Sequence, residues 1–166
     1  MLATMSRKDF EKYIQGSRKN FEEELVRTGD FSQEKAHERM EAQMNAILPQ
    51  GYDTQGNCFF DIIAPESGDK VGILWISKMN MDGNESAFIF DIAVNAEHRR
   101  KGYASKALIE AEEIARDVDV QEIWLHVFAK NKGAIALYKK MGYVIKRDTH
   151  SKDGKVILGH HMMKNL

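Results

Sequence analysis

The sequence predicts a single α/β domain over residues 1–166, with a mixed, mostly antiparallel sheet of six or seven strands flanked by about four helices. Three observations predict it. Amphipathic stripes fill the first 50 residues. Three apolar runs joined by short turns then read as an antiparallel meander. After Val94, apolar runs and helical stripes alternate, the pattern of strand–helix–strand units.

The first helix is expected from Arg7 to Val26, where Phe10, Tyr13, Ile14, Phe21 and Leu25 recur at helical spacing. Thr28-Gly29-Asp30 interrupts the stripe. Ser32 is an N-cap for a second helix carrying Ala36, Met40, Met44 and Ile47, which Pro49-Gln50-Gly51 closes. The meander runs through Cys58–Ile63, Val71–Ser77 and Ser86–Val94, with turns at 65–69 and 81–84. Ala104, Ala107, Leu108, Ala111, Ile114 and Val118 mark a third helix. Residues 122–129 are apolar on both faces, as in a buried central strand. Asn131 caps a short fourth helix that Gly142 terminates. Tyr143–Arg147 and Val156–Met163 form a last strand pair around a turn at 151–154.

With 166 residues, 43% of them hydrophobic and 30% charged, the chain has the composition of a globular domain large enough for its own core. Disorder and collagen-like architecture are excluded. Lys and Arg total 24 against 25 Asp and Glu, a net charge of -1. Proteins that coat nucleic acid or acidic membranes are usually basic, so composition argues against both. The single cysteine, Cys58, permits no intrachain disulfide and no cysteine-based metal site. The N-terminus lacks a secretory apolar run, and no stretch approaches the ~20 apolar residues of a membrane span. A cytoplasmic location is expected. The nine methionines read as fillers of core gaps.

The chemistry concentrates after the third strand. In Asn95–Ala104 a strand leads into a helix through Arg99, Arg100 and Lys101, followed by Gly102, Tyr103 and Ala104. Free amides at a helix N-terminus attract anions, and small residues let a phosphate approach closely. The segment therefore reads as a pyrophosphate cradle. It has neither the Gly-x-x-x-x-Gly-Lys-Ser/Thr spacing of the nucleotide loop nor the Gly-x-Gly-x-x-Gly dinucleotide fingerprint.

A second stretch, Lys130 to Tyr143, adds to the first. Together they resemble the GNAT superfamily of acetyl-CoA-dependent N-acyltransferases. Arg99, Gly102 and Ala104 match its Arg/Gln-x-x-Gly-x-Gly/Ala signature, and Asn131, Ala134, Leu137, Tyr138, Gly142 and Tyr143 match its second. The resemblance implies an acetyl-CoA-binding core over residues 59–164 and a helical, acceptor-side region over residues 1–50. It implies a sheet splayed at its centre between the strand ending at Val94 and the strand 122–129. The pantetheine arm would pair with the backbone of Ile92 and Val94. The pyrophosphate would sit on the amides of Arg100, Lys101, Gly102, Tyr103 and Ala104, with charge from Arg99, Arg100 and Lys101 and further contacts from Asn131, Ala134 and Tyr138. Between Lys130 and Arg147 the chain carries six basic and no acidic residues, which suits a polyanionic ligand.

Acyl transfer to an amine asks for a neutral nucleophile, stabilisation of the developing oxyanion and help for the leaving thiolate. The resemblance places Tyr138 near the thioester sulfur for the last role. His126, on one face with Trp124 and Phe128, stands where bacterial ribosomal-protein acetyltransferases of the family have a Glu base; this chain departs from them there. Asp91, which interrupts an apolar strand, is the rival base, with Glu85 a weaker one. His160 and His161 alternate along a strand, so no metal site is expected. Cys58 has no activating neighbour in sequence, which disfavours a covalent acyl-enzyme. The expected function is direct transfer of acetyl from acetyl-CoA to a primary amine. A sensor that binds acetyl-CoA without turnover is the alternative. The acceptor stays open among small amines, polyamines, antibiotics and protein N-termini, and so does homodimerisation, which is common in the family.

Overall fold

A three-residue strand, β1 (Leu2–Thr4), precedes the helices and pairs antiparallel with β2 (Asn57–Ile63), Leu2 standing opposite Ile62. The computed structural model describes residues 1–27 and 31–166; the break at Thr28-Gly29-Asp30 lies outside the described residues. These fall into two compact units, one of Met5–Asn57 and one of Met1–Thr4 with Cys58–Leu166.

The first unit holds α1 (Arg7–Arg27) and α2 (Gln33–Ile47). Ser32 caps α2, its hydroxyl accepting the Lys35 N–H at 3.4 Å. The helices are tied by Arg18 to Glu41 at 3.0 Å and by His37 to Glu22 at 2.9 Å.

The second unit is built on one seven-stranded sheet of order β1-β2-β3-β4-β5-β7-β6. Its further strands are β3 (Lys70–Met81), β4 (Asn84–Val94), β5 (Glu122–Phe128), β6 (Val144–His150) and β7 (Ile157–Asn165). β3 and β4 form a long hairpin, turned at Asp82 (φ 53°) and Gly83 (φ 91°). The pairs β3–β4, β5–β7 and β6–β7 are antiparallel; β4–β5 is parallel. β7 inserts between β5 and β6, an order that local patterning does not reveal.

The main core lies where β3, β4, β5 and β7 meet α3 (Tyr103–Asp117) and α4 (Lys132–Lys140). Leu74, Ile89 and Leu125 from the sheet pack with Leu108 and Ala111 of α3 and Ile135 and Tyr138 of α4. The other sheet face carries Phe88, Trp124 and Met163. β5 is thus apolar on both faces, as its continuous apolar run requires.

One irregularity shapes the sheet. On β4, Ile89 stands opposite Ile76 and Asp91 opposite Trp75, so Phe90 is an extra residue, a β-bulge. The parallel ladder to β5 runs through Ala87, Phe88 and Ile89 and stops there, at Ile89 opposite Leu125. Beyond the bulge the two strands separate, and this is the splay that the resemblance implies.

Candidate active site

The end of β4 leads through a short 3-10 turn, Ala96–His98, into a loop that launches α3. In that loop Arg100 (φ 66°) and Gly102 (φ 85°) both take the left-handed conformation. Glycine adopts it without strain; an arginine there is uncommon and must be held by its surroundings. Left-handed residues alternating with other conformations in a turn can point backbone N–H groups toward one place, an anion-binding concavity. Gly102 is the N-cap of α3 and has no side chain to accept from the first turn. The first N–H groups of α3 therefore keep their hydrogen-bonding capacity at the positive end of the helix dipole.

This helix start lines a cleft of about 710 Å³. Its walls are Ile92, Ala93 and Val94 of β4, His98 to Arg100 and Gly102 to Ser105 of the loop and α3, and Asn131, Gly133, Ala134, Ala136 and Leu137 on or beside α4. Of the residues singled out in the sequence, the structure gathers Ile92, Val94, Arg99, Arg100, Gly102, Tyr103, Ala104, Asn131 and Ala134 around it. Lys101, Tyr138, Asp91 and His126 are not in its wall. His98, Ser105, Gly133 and Ala136 are, and sequence reasoning missed them. The small residues 133 and 136 stand one helical turn apart, a signal in the sequence that could have found them beside Asn131, Ala134 and Leu137.

Several wall residues have defined tasks. The Asn95 N–H donates to Val71 O at 2.8 Å, so Ala93 faces β3 as well. Backbone direction alternates along a strand, hence Ile92 and Val94 turn their polar groups to the opening. Arg99 Nε donates to Val94 O at 3.0 Å and pins the strand end. Asn131 caps α4, its Oδ1 accepting the Ala134 N–H at 3.1 Å. The Tyr103 hydroxyl donates to Glu66, so this residue offers the cleft its backbone N–H.

Tyr138 is buried in the main core beside Tyr143, their rings 5.9 Å apart. Burial, and then the negative charge of Asp91, push its phenol up to about 12. His126 leans the other way along the sheet. Its Nε2 lies 3.2 Å from Thr149 Oγ1 and its ring 4.9 Å from that of His161. Burial holds its pKa down to about 4, with smaller contributions from His161 and His160, so the ring is neutral near pH 7. Glu85 pairs with Lys78 at 3.0 Å at the hairpin end of β4, the end remote from the cleft. His160 Nδ1 lies 2.7 Å from Asp148 while His161 meets His126. Among the described residues no group of three His, Cys, Asp or Glu is placed to hold a metal, and no helix is long and apolar enough to cross a membrane. Cys58 is exposed, and partial desolvation raises its pKa, which opposes a reactive thiolate.

Residues 20–143 match the model of the Acetyltransferase (GNAT) family. The chain is 31% identical over 144 residues to YdgE of Bacillus subtilis (strain 168), described as an uncharacterised N-acetyltransferase, covering 87% of this chain and 91% of that protein. It is 32% identical over 143 residues to a second such protein of the same organism, YycN, covering 86% and 91%. The crystal structure of YycN superposes with a TM-score of 0.79, over 92% of this chain and 96% of that one. A PaiA N-acetyltransferase from Thermoplasma acidophilum, solved with coenzyme A, shares the fold at 19% identity, with a TM-score of 0.66 over 100% of this chain and 98% of that one.

Proposed function

The chain belongs to the GNAT acetyltransferase family, and from that premise we propose that it transfers the acetyl group of acetyl-CoA directly to a primary amine within a ternary complex. The observation that carries this reading is the cleft between the diverging end of β4 and the starts of α3 and α4. Its volume lies within the usual range of ligand sites, roughly 300–1,000 Å³. The amides of Gly102 to Ser105, with the guanidinium of Arg100, suit a pyrophosphate. The outward backbone of Ile92 and Val94 suits the amide-bearing pantetheine arm, which would add to β4 as a strand does. Lys101 is assigned a longer-range electrostatic part, since it stands outside the wall.

Acetyl-CoA supplies an activated thioester; the side chains manage protons. A phenol at about 12 would lose about 5 kcal/mol in handing its proton outright to a thiolate of pKa ~8.5. Tyr138 therefore acts by donating a hydrogen bond to the departing sulfur, and its high pKa keeps it protonated for that purpose. His126 is the proposed proton acceptor. A neutral imidazole of pKa about 4 cannot strip a free ammonium, whose pKa is ~8 or higher. It can accept a proton once the nitrogen has attacked, because bonding to the carbonyl carbon makes that N–H strongly acidic. Asp91 gives a second reading of this step, favoured by its electrostatic contact with Tyr138.

The test pairs two assays. Saturable binding of acetyl-CoA is measured by calorimetry, and thiol release is followed across a panel of primary amines, polyamines, aminoglycosides and peptides with free N-termini. Binding with release on at least one amine is the expected result. Binding without release on any would favour the sensor. No binding at millimolar acetyl-CoA by folded protein would overturn both.

A further inference from the structure

Resting on the assignment of His126 as proton acceptor, we propose that Thr149 and Gly159 are positioning residues that aim its imidazole. β7 lies between β5 and β6, and its Gly159 stands opposite Phe128 on β5 and Thr149 on β6. Neighbouring strands are ~4.8 Å apart, so side chains two strands apart meet only across a bare strand. His126 and Thr149 do meet, at 3.2 Å between Nε2 and Oγ1. Glycine makes the lane. A Cβ at residue 159 would lie 2.5 Å from His126 Nε2 and 2.8 Å from Cε1, closer than real atoms approach.

The other sides of the ring are also set. Phe128 stands edge-on at 5.4 Å and His161 packs at 4.9 Å. The charged and titratable groups nearby are His161, which is exposed to the charges of Arg147 and Asp82, and His160, which turns to Asp148. In the tautomer assigned by this proposal, Nε2 donates its proton to the Thr149 hydroxyl 3.2 Å away and Nδ1 is the basic nitrogen. In the reaction an N–H bond of the attacking nitrogen breaks and the Nδ1–H bond forms. The electron pair stays on the new amide nitrogen, and Nε2–H remains on Thr149.

The test uses the full chain with 15N-labelled histidine. In the wild type, the 15N shifts of His126 should report the Nε2–H tautomer. Thr149→Val should mix the tautomers and lower kcat about ten-fold with KM for acetyl-CoA unchanged, the rate equivalent of one hydrogen bond. Thr149→Ser should restore both. Gly159→Ala should displace the ring and lower kcat at least as much. Wild-type tautomer and kcat in Thr149→Val would overturn the proposal, as would a kcat loss that Thr149→Ser does not rescue. His126→Gln at wild-type kcat would overturn the assignment of His126 itself. The tautomer readout needs no acceptor, so the two failures are distinguishable.

Discussion

Asp91 and Tyr138 are electrostatically coupled: the phenol, already raised by burial, is raised further by the carboxylate to a pKa of about 12. The bulge at Phe90 puts Asp91 where β4 leaves β5, and α4 brings Tyr138 to the core beside Ile89 and Leu125. An acid otherwise out of place in an apolar strand thus has an effect on the phenol proposed as hydrogen-bond donor to the leaving sulfur.

Tyr138→Phe should lower kcat by roughly ten- to a hundred-fold, the worth of a hydrogen bond to a charged group at about 1.5–3 kcal/mol. The dissociation constant of acetyl-CoA should change little, because the proposed hydrogen bond gains its strength only as negative charge develops on the departing sulfur. Steady-state kinetics with parallel calorimetry checks it; unchanged turnover would remove Tyr138 from its role.

Asp91→Asn should let the Tyr138 phenol titrate at lower pH. The phenolate forms as pH rises, so the alkaline loss of kcat should move to lower pH in the variant. Ultraviolet titration of tyrosine alongside the pH–rate profile measures both shifts. Coincident wild-type and variant curves would dissociate the two residues.

Gly102→Val should weaken acetyl-CoA binding. The residue has φ 85°, which strains any β-branched side chain, while open space surrounds its Cβ position, the space a phosphate would take. At ~100 times Kd, a ligand of the native state adds about 2.7 kcal/mol, or several degrees in Tm for a domain of this size. That shift should be present in the wild type and lost or much reduced in the variant.

His126 gives stability a pH dependence of known sign. Above its ordinary pKa of ~6.5 the ring is neutral folded and unfolded, and contributes nothing to the slope. As pH falls from there, the unfolded chain takes up a proton that the folded one refuses until about pH 4. Stability therefore drops over that window, by about 1–2 kcal/mol once partial solvent screening is allowed for. His126→Gln should flatten this part of the urea-unfolding profile, while His161, lowered mainly by burial too, keeps its own slope.

Gly72→Ala should disturb the cleft from outside it. A Cβ there would lie 2.2 Å from Ala93 O, at the strand end that Arg99 pins. A destabilisation of roughly 1–3 kcal/mol is expected, with weaker acetyl-CoA binding, by denaturant unfolding and calorimetry.

What could be read from the sequence was local. Ser32, Asn131 and Gly142 mark helix ends because capping depends on a few neighbouring residues. The helix start after Arg99 was legible because Gly102 stands where a left-handed N-cap is needed. β1 escaped, since three residues carry no periodicity and its partner lies some sixty residues away. The lean of His126 toward Thr149 escaped for the same reason at greater depth. It depends on β7 entering between β5 and β6 and on the register that sets Gly159 beneath the ring. The strand reading placed His126 on the right alternation and was silent on its direction.

The opening in the sheet originates in a count. Any side chain at position 90 keeps β4 one residue longer than its partner, so point mutations can reshape or recharge the walls of the cleft and leave its existence untouched. Losing a single codon there would remove the residue that β4 carries in excess of β3, and with it the local bend that follows the last parallel pair at Ile89. For this segment, then, tolerance to exchange of residues and intolerance to change of length should go together.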